Sequence, residues 1–351
     1  MISIFQNNYS EHSENDISSV QPANDSRELT DLSYIDKPFN AYGGLANLSA
    51  DIQGLQKSQL LVSFVANDAE SPLYLNDIAP FMLLSKMAKR NECNVNYDLS
   101  RHASLHKVLC SLNLTNSKRT CCCSCPRHVD VYPIPVAWYN PNDWNHLTED
   151  DENKECQAFI NGMSAQFRKQ IKQFDAKYDL GETHLDELRE LCKFLEEIMG
   201  NGEHARCPDN ISFGEFGFAC YMALRNGKLV INMSIISFGR TFGRTLEKKN
   251  VDVSMLNSSD SVTPNAQDAL SIYGVIEDGL TSRDTNRPGG LHKFFNAAEA
   301  MSSRFEAILI SGTGGLLRRP DVADQVFLVE IDTPGTILST RFEIDLEVTN
   351  E

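Results

Sequence analysis

The chain has 351 residues, and 41% of them are hydrophobic, which is enough to form the cores of two domains of ordinary size. Its 48 acidic and 32 basic residues give a formal net charge of −16, which repels phosphate backbones and argues against broad non-specific binding of nucleic acids. No apolar run approaches the ~20 residues that span a bilayer, and the N-terminal segment lacks the basic and apolar regions of a secretory signal. We therefore expect a globular, cytoplasmic protein with no membrane segment.

The chain contains ten cysteines, which in a protein without a secretory signal are expected to be reduced thiols. Four of them lie close together, at Cys121, Cys122, Cys123 and Cys125. Only Cys122 and Cys125 have the paired spacing of a zinc site, and no second pair follows at a suitable distance. The pattern favours a thiol-rich turn over a zinc site, and we assign no residue as a metal ligand.

The first third of the chain is expected to contain a tail and a small α/β domain. Residues 1–49 are rich in Asn, Ser, Asp and Glu and lack periodicity, which predicts a disordered or docking tail. The following segments alternate between strand and helix patterns, at residues 60–66, 81–90, 93–99 and 102–114. This alternation predicts a small α/β domain over residues 50–147. It ends with a proline-containing edge strand at 131–139, and the acidic stretch 148–155 is predicted to be the boundary between the two halves.

The second half begins with a predicted helical hairpin. Apolar residues recur every three or four positions over residues 157–178, and Thr183 is placed to cap a second helix that ends at Gly200. The apolar stripe of this hairpin fits either the core of a domain or the seam of a homodimer through residues 157–199. The sequence leaves both interpretations open.

The remaining elements predict an α/β sandwich. We expect a helix at residues 215–224, a strand at 228–236, a polar lid over 240–267, a helix at 269–276 and a helix at 291–301. Three strands are expected to follow, at residues 305–312, 326–331 and 337–344. Together with the hairpin these elements predict a two-layer α/β sandwich over residues 157–347.

A glycine pair stands at the start of the helix predicted for residues 291–301. Gly289 and Gly290 follow Pro288, and Leu291 opens an apolar pattern with helical spacing. Such a junction exposes backbone N–H groups at a helix N-terminus, which is a geometry that binds phosphate. An ordinary loop that runs into a helix has the same local sequence, so the pair alone does not decide between them.

The order of elements over residues 157–347 resembles the GHKL (Bergerat) nucleotide-binding fold of gyrase, histidine kinases, MutL and MORC-type ATPases. In that family a helix carries Glu-x-x-x-Asn, whose Glu acts on a water molecule and whose Asn binds magnesium. The matching stretch begins at Glu215, but Ala219 replaces the Asn. The family's Asp-x-Gly-x-Gly, whose Asp binds the adenine amino group, matches Ser237 and Gly239 with a serine in place of the Asp.

Two further stretches resemble the family. The turn Gly279-Leu280-Thr281-Ser282-Arg283 resembles Gly-x-Thr-Ser-Arg/Lys, and Gly289-Gly290-Leu291 resembles the start of Gly-Gly-Leu-Gly-Leu, with His292 in place of the next glycine. The preceding small domain is similar to the STAS-like domains that stand before GHKL modules in some bacterial proteins. The resemblance implies a catalytic role for Glu215 and ligand-binding roles for Ser237, Gly239, Gly279, Thr281, Ser282, Arg283, Gly289, Gly290 and Leu291.

These departures from the family pattern lead us to expect a regulatory or interaction protein with a protein partner, in bacterial signalling or defence. Loss of the Asn removes a magnesium ligand and loss of the Asp removes the adenine anchor, so ATP binding is expected to be weak or lost. One alternative is an active GHKL-type ATP hydrolase with non-standard magnesium and adenine ligands, in which Glu215 activates water. Another alternative is a dimeric scaffold that is indifferent to nucleotide.

Overall fold

The protein forms two compact units, Met1–Arg127 and His128–Glu351. The structure, a computed structural model, describes residues 2–4, 24–30, 59–65, 78–90, 94–98, 103–114, 131–140, 149–204, 215–248, 267–279, 289–320 and 322–346. Each unit combines helices with a β-sheet, which confirms the general α/β class. Among the described helices none is both long and apolar enough to cross a membrane.

The first unit contains a four-stranded sheet with the order β1-β2-β3-β4. β1 pairs with β2 in an antiparallel sense, whereas β2, β3 and β4 are parallel. The strands are β1 (Ile2–Ile4), β2 (Asn24–Thr30), β3 (Gln59–Val65) and β4 (Asn94–Asp98), and the helices are α1 (Ile78–Arg90) and α2 (Ala103–Ser111). The predicted strand and helix alternation is therefore confirmed. β1 and β2 lie inside the segment that we predicted to be a tail, because pairing with neighbouring strands can stabilise a polar strand that has no periodicity of its own.

The second unit contains an antiparallel five-stranded sheet with the order β5-β6-β7-β9-β8. The strands are β5 (Val131–Tyr139), β6 (Phe216–Arg225), β7 (Lys228–Ser237), β8 (Arg304–Arg319) and β9 (Val322–Asp345). β5 lies at one edge of the sheet, as its two prolines predict. Because β5 pairs with β6, it belongs to the second unit, and the two units divide before the acidic stretch that we predicted as the boundary.

The described residues of the second unit include five helices: α3 (Glu149–Tyr178), α4 (Gly181–His204), α5 (Phe242–Lys248), α6 (Gln267–Glu277) and α7 (Gly290–Met301). The acidic residues predicted as a boundary form the first turns of α3, where negative charge is favourable to the helix dipole. α4 begins at Gly181, whose φ of 74° makes the sharp turn after α3, so Thr183 is not its cap. α4 also continues through Gly200, which the sequence analysis took as its end.

The segment after Glu215 is a strand and not the helix that we predicted. Within β6 consecutive residues are buried, including Cys220 and Tyr221, so both faces of this strand are covered. A strand buried on both faces has a continuous apolar sequence, which periodicity alone does not distinguish from a buried helix. Asn226 and Gly227 have φ values of 51° and 76° and join β6 to β7, as expected for a tight antiparallel hairpin.

The apolar stripes of α3 and α4 belong to the core of the second unit. Their buried members are Ile160, Met163, Phe167, Ile171, Phe174, Leu188, Leu191 and Leu195. They share one hydrophobic cluster with side chains from the sheet and from α7. The stripe is therefore covered within one chain, and a homodimer through residues 157–199, which stays a prediction, would have to use the other faces of the hairpin.

Truncation of Phe174 tests this assignment. The ring is fully buried and contacts Tyr132 and Tyr178 at centroid distances of 5.3 Å and 4.6 Å. Phe174→Ala is expected to lower the free energy of unfolding by about 3–5 kcal/mol, because a cavity replaces the ring, and Phe174→Leu by a smaller amount. Urea denaturation measures both values. A loss below ~1 kcal/mol accompanied by dissociation of an oligomer in sedimentation would instead place the stripe at a subunit interface.

Candidate functional site

The glycine pair of the sequence motif lies at the start of α7. Gly289 precedes the helix with an extended backbone, and no side chain caps the helix N-terminus. The N–H of Gly289 donates to the carbonyl of Gly279 at 3.3 Å, so the two ends of the intervening loop are held together. Gly279 is buried and has a φ of 66°, a conformation that favours glycine. Thr281, Ser282 and Arg283 belong to this loop and lie outside the described residues.

Glu197 on α4 packs directly against the glycine pair. A Cβ atom on Gly290 would lie only 2.6 Å from the Cγ of Glu197, so the residue at this position has to be glycine for α4 and α7 to approach so closely. The carboxylate of Glu197 lies 3.4 Å from the Nζ of Lys293, one turn into α7. The carboxylate of Glu197 and the ammonium group of Lys293 thus lie together at the N-terminus of α7. The buried Leu291 fixes this end of α7 in the core.

Glu197 was not predicted as a site residue, although its sequence context contains a glutamate followed four residues later by an asparagine. Glu197 opens the sequence Glu-Ile-Met-Gly-Asn, so Asn201 follows it by four residues within the same helix. Glu215, which we matched to a helical Glu-x-x-x-Asn, stands instead at the start of a strand, and its carbonyl accepts a hydrogen bond from the N–H of Phe238 at 2.7 Å. Residues 215 and 219 are ~13 Å apart along an extended chain, so they do not reproduce the spacing of neighbouring helical turns.

A row of hydroxyl side chains crosses the sheet where β7 ends. Ser237 on β7 is opposite Thr336 on β9, and the hydroxyl of Thr336 lies 3.0 Å from that of Ser311 on β8. The Ser311 hydroxyl also accepts a hydrogen bond from the N–H of Phe242 at 2.9 Å. The chain between Ser237 and Gly239 lies so close to Gly335 that no side chain fits there, and Gly335 has a φ of 92°.

Asp268 at the start of α6 joins three elements, and the sequence analysis did not single it out. Its carboxylate accepts hydrogen bonds from the hydroxyl of Thr241 at 3.2 Å and from the N–H and hydroxyl of Thr313 at 3.0 Å and 3.2 Å. A Cβ on Gly243 or Gly312 would overlap this carboxylate. The carboxylate therefore connects the start of α6 to the start of α5 and to a bulge in β8. In the sequence, only the glycines around position 312 indicate such a close contact.

The opposite end of α6 is bound to α7. The Nδ1 of His292 donates to the carbonyl of Ile276 at 2.5 Å, and its Nε2 accepts from the side-chain amide of Asn296 at 2.9 Å. This role accounts for a histidine where the resemblance leads us to expect glycine. The predicted site residues thus form two groups at the two ends of α6. α6 has 11 residues and is therefore about 16 Å long.

Three of the described cysteines lack the features of a reactive thiolate. Cys156, Cys192 and Cys220 are buried and form no disulfide. Burial raises the pKa of the Cys220 thiol far above its usual value, and burial also raises that of Cys192, against the opposing charge of Arg168. Within the described residues no cluster of His, Cys, Asp or Glu could hold a metal ion. The four-cysteine stretch at 121–125 lies outside those residues, so the expectation of a thiol-rich turn stays a prediction.

Comparison with known proteins adds no functional information. No protein-family model matches the chain, and neither curated proteins nor solved structures show significant similarity to it.

Replacement of Asp268 tests whether its carboxylate holds α6 in place. Asp268→Ala leaves the N–H of Thr313 and the hydroxyl of Thr241 without their acceptor, and we expect the free energy of unfolding to fall by about 1–3 kcal/mol. Hydrogen exchange should become faster in α6 but not in α3. Asp186→Asn is the control, because Asp186 forms an exposed pair with Arg189 and should have little effect. Equal exchange rates in α6 of the wild type and the Asp268 variant would contradict this role.

Alkylation tests the thiol assignment. In the folded protein we expect iodoacetamide to leave Cys220 unmodified at pH 9, whereas Cys220 reacts fully in urea, as measured by peptide mass spectrometry. Since its pKa is raised above the usual 9.0 in the folded state, the folded chain keeps a proton that the unfolded chain loses as the pH rises past ~9. Stability is therefore expected to fall with rising pH in that range, and less so in a Cys220→Ala variant. Rapid native alkylation of Cys220 would contradict its burial.

Proposed function

We propose that the second unit is a GHKL-type nucleotide-binding module in a regulatory or interaction protein, preceded by a STAS-like unit. Nucleotide binding is expected to be weak or altered, and the protein is expected to act through a protein partner. The observation that carries this proposal is the contact between Glu197 of α4 and Gly290, where α7 begins without a side-chain cap.

The start of α7 has the properties of a phosphate-binding element. Backbone N–H groups at an uncapped helix N-terminus favour an anion, and the glycine pair leaves room for the ligand to approach the backbone. The loop closed by Gly279 and Gly289 contributes Thr281, Ser282 and Arg283 from its sequence, which supply hydroxyl donors and a positive charge. Lys293, one turn into the helix, is paired with Glu197 and offsets the negative charge of that carboxylate beside the phosphate position.

The hydroxyl row at the other end of α6 is suited to the base end of the ligand. The length of α6, about 16 Å, is of the order of the length of an extended nucleoside triphosphate. The Oγ atom of Ser237 is buried and has no hydrogen-bond partner, so it is available to a polar ligand group. A neutral hydroxyl forms weaker hydrogen bonds than the carboxylate of the family pattern, which supports weak or altered binding.

Glu197 and Asn201 support active ATP hydrolysis as a second candidate. An amide oxygen is a ligand that suits Mg²⁺, and in the sequence of α4 Asn201 follows Glu197 by one helical turn. Magnesium would neutralise phosphate charge at this position. In this candidate function Glu197, and not Glu215, orients or deprotonates the attacking water, because Glu197 lies beside the start of α7.

Nucleotide titration tests the main proposal. We expect ATP and a non-hydrolysable analogue to raise the melting temperature and to bind in calorimetry near millimolar concentration, where the binding free energy is about −4 kcal/mol. Gly290→Ala should weaken this binding because its Cβ displaces Glu197, and Gly290→Trp should abolish it. Gly162→Ala is the matched control, since its Cβ meets no atom within 4 Å. Indifference of the wild type to nucleotide, with and without magnesium, would favour the scaffold alternative.

A hydrolysis assay separates the two candidate functions. If the protein hydrolyses ATP, Glu197→Gln should lower kcat by about 100-fold or more while nucleotide binding persists, and Glu215→Gln should leave kcat nearly unchanged. If the protein only binds nucleotide, phosphate release by the wild type should equal that of Glu197→Gln. A selective loss of kcat in Glu215→Gln would restore the original sequence match and contradict the assignment of Glu197.

A further inference from the structure

β8 and β9 continue past the five-stranded sheet as a two-stranded arm. β9 pairs with β7 only from Thr336 to Asp345, whereas its earlier residues pair with β8, as in the pairs Leu316–Val326 and Arg319–Val322. Among the described residues no strand pairs with the other side of β9 over residues 322–333. This stretch, the arm edge, therefore presents backbone N–H and C=O groups that a further strand can bind.

The arm edge lacks proline and lysine, two of the features that protect strand edges in natural proteins. β5, at one side of the sheet, carries Pro133 and Pro135, and β8, at the other side, carries charged residues that include Arg304 and Arg319. Proline and charged side chains discourage accidental pairing at an edge. The sequence VADQVFLVEIDT of the arm edge contains no proline, lysine or arginine. The charged residues of the arm edge are all acidic, so this edge disfavours pairing with an acidic strand more than pairing with a basic one.

Exposed apolar side chains mark the same stretch. Val322 is 52% exposed and Val326 is 42% exposed, and these are the exposed large hydrophobic residues of the described part of the chain. They stand on opposite faces of the arm, because Val322 pairs with Arg319 and Val326 with Leu316, three positions apart on β8, and a bulge adds one residue to β9 between them. A partner strand that pairs with the arm edge could contact one valine on each face. The surface therefore offers backbone hydrogen bonds together with apolar contacts.

The arm is held in a fixed position by Arg318. Its guanidinium group donates to the Oδ1 of Asp324 at 2.9 Å, pairs with Glu277 of α6, and lies 3.6 Å from Glu299 of α7. It also lies 5.3 Å from the centre of the Phe295 ring. These contacts tie both strands of the arm to two helices, so the edge is ordered before a partner arrives. Preorganisation of this kind lowers the entropic cost of binding.

We propose that the arm edge docks an extended strand of a partner protein, one with apolar residues at alternate positions and lysine or arginine between them. Strand addition of this kind combines main-chain hydrogen bonds with side-chain selection. The arm edge contains three acidic residues and no basic residue; one of the three, Asp324, is already paired with Arg318, and the whole chain has a net charge of −16. These charges attract a basic segment and disfavour a second copy of the same chain. The proposal does not depend on nucleotide binding.

Binding of a designed peptide tests the proposal in the full-length protein. The probe is a fluorescein-labelled peptide Lys-Val-Lys-Val-Thr-Val-Lys-Val-Lys, and a peptide with glutamate in place of every lysine is the control. Fluorescence anisotropy is expected to show saturable binding of the lysine peptide alone, and hydrogen exchange of residues 322–326 is expected to slow on binding. Val326→Lys should weaken binding at least tenfold. Gln166→Lys, which adds the same charge at an exposed position of α3, is the control and should leave peptide binding unchanged.

Three results would overturn the proposal. The first is absence of saturable binding, and the second is equal binding by the Val326→Lys variant once thermal unfolding has shown that this variant is folded. The third is a concentration-dependent dimer in sedimentation that Val326→Lys dissociates, because the edge would then pair with a second copy of the chain. Since no nucleotide is added in these measurements, their failure leaves the nucleotide proposal unaffected.

Discussion

The antiparallel pairing of β9 with both β7 and β8 is the constraint on which the second unit depends. This strand carries Leu338 and Phe342 into the core and holds the hydroxyl of Thr336 in line with those of Ser237 and Ser311. Where β7 ends, Gly335 allows the backbones to pass in close contact, and β9 continues into the arm. The position of the hydroxyl row and the open edge of the arm both follow from the length of this one strand.

The parts of the fold that sequence predicts well are those with a local physical cause. α3 and α7 have apolar residues at helical spacing, and the Asn226-Gly227 turn has residues that adopt positive φ at low cost. β6 was predicted wrongly because burial on both faces removes the alternation that identifies a strand. The strands predicted at residues 326–331 and 337–344 are both parts of β9, since Gly335 allows the strand to continue through an irregular position.

The candidate site was predicted only where its residues are close in sequence. Gly289, Gly290 and Leu291 are adjacent, so their pattern shows in the sequence. Glu197 reaches Gly290 from a helix more than ninety positions earlier, and the link depends on how α4 packs against α7. The contacts of Asp268 were also not predicted, because the donors to its carboxylate are distant in sequence. They come from the start of α5 and from a bulge of β8. Contacts of this kind are set by tertiary packing and leave little trace in local periodicity.

α6 connects the candidate nucleotide site with the arm. Asp268 fixes its first turn, the carbonyl of Ile276 binds His292 of α7, and Glu277 pairs with Arg318 of the arm. A ligand at the start of α7 influences the arm only if it binds two arrangements of these elements with different affinity. Because Arg318 contacts α6, α7 and β9 together, a shift of either helix has to change at least one of its ion pairs. That shared guanidinium is the position at which nucleotide binding and partner binding would be coupled, and any such coupling acts equally in both directions.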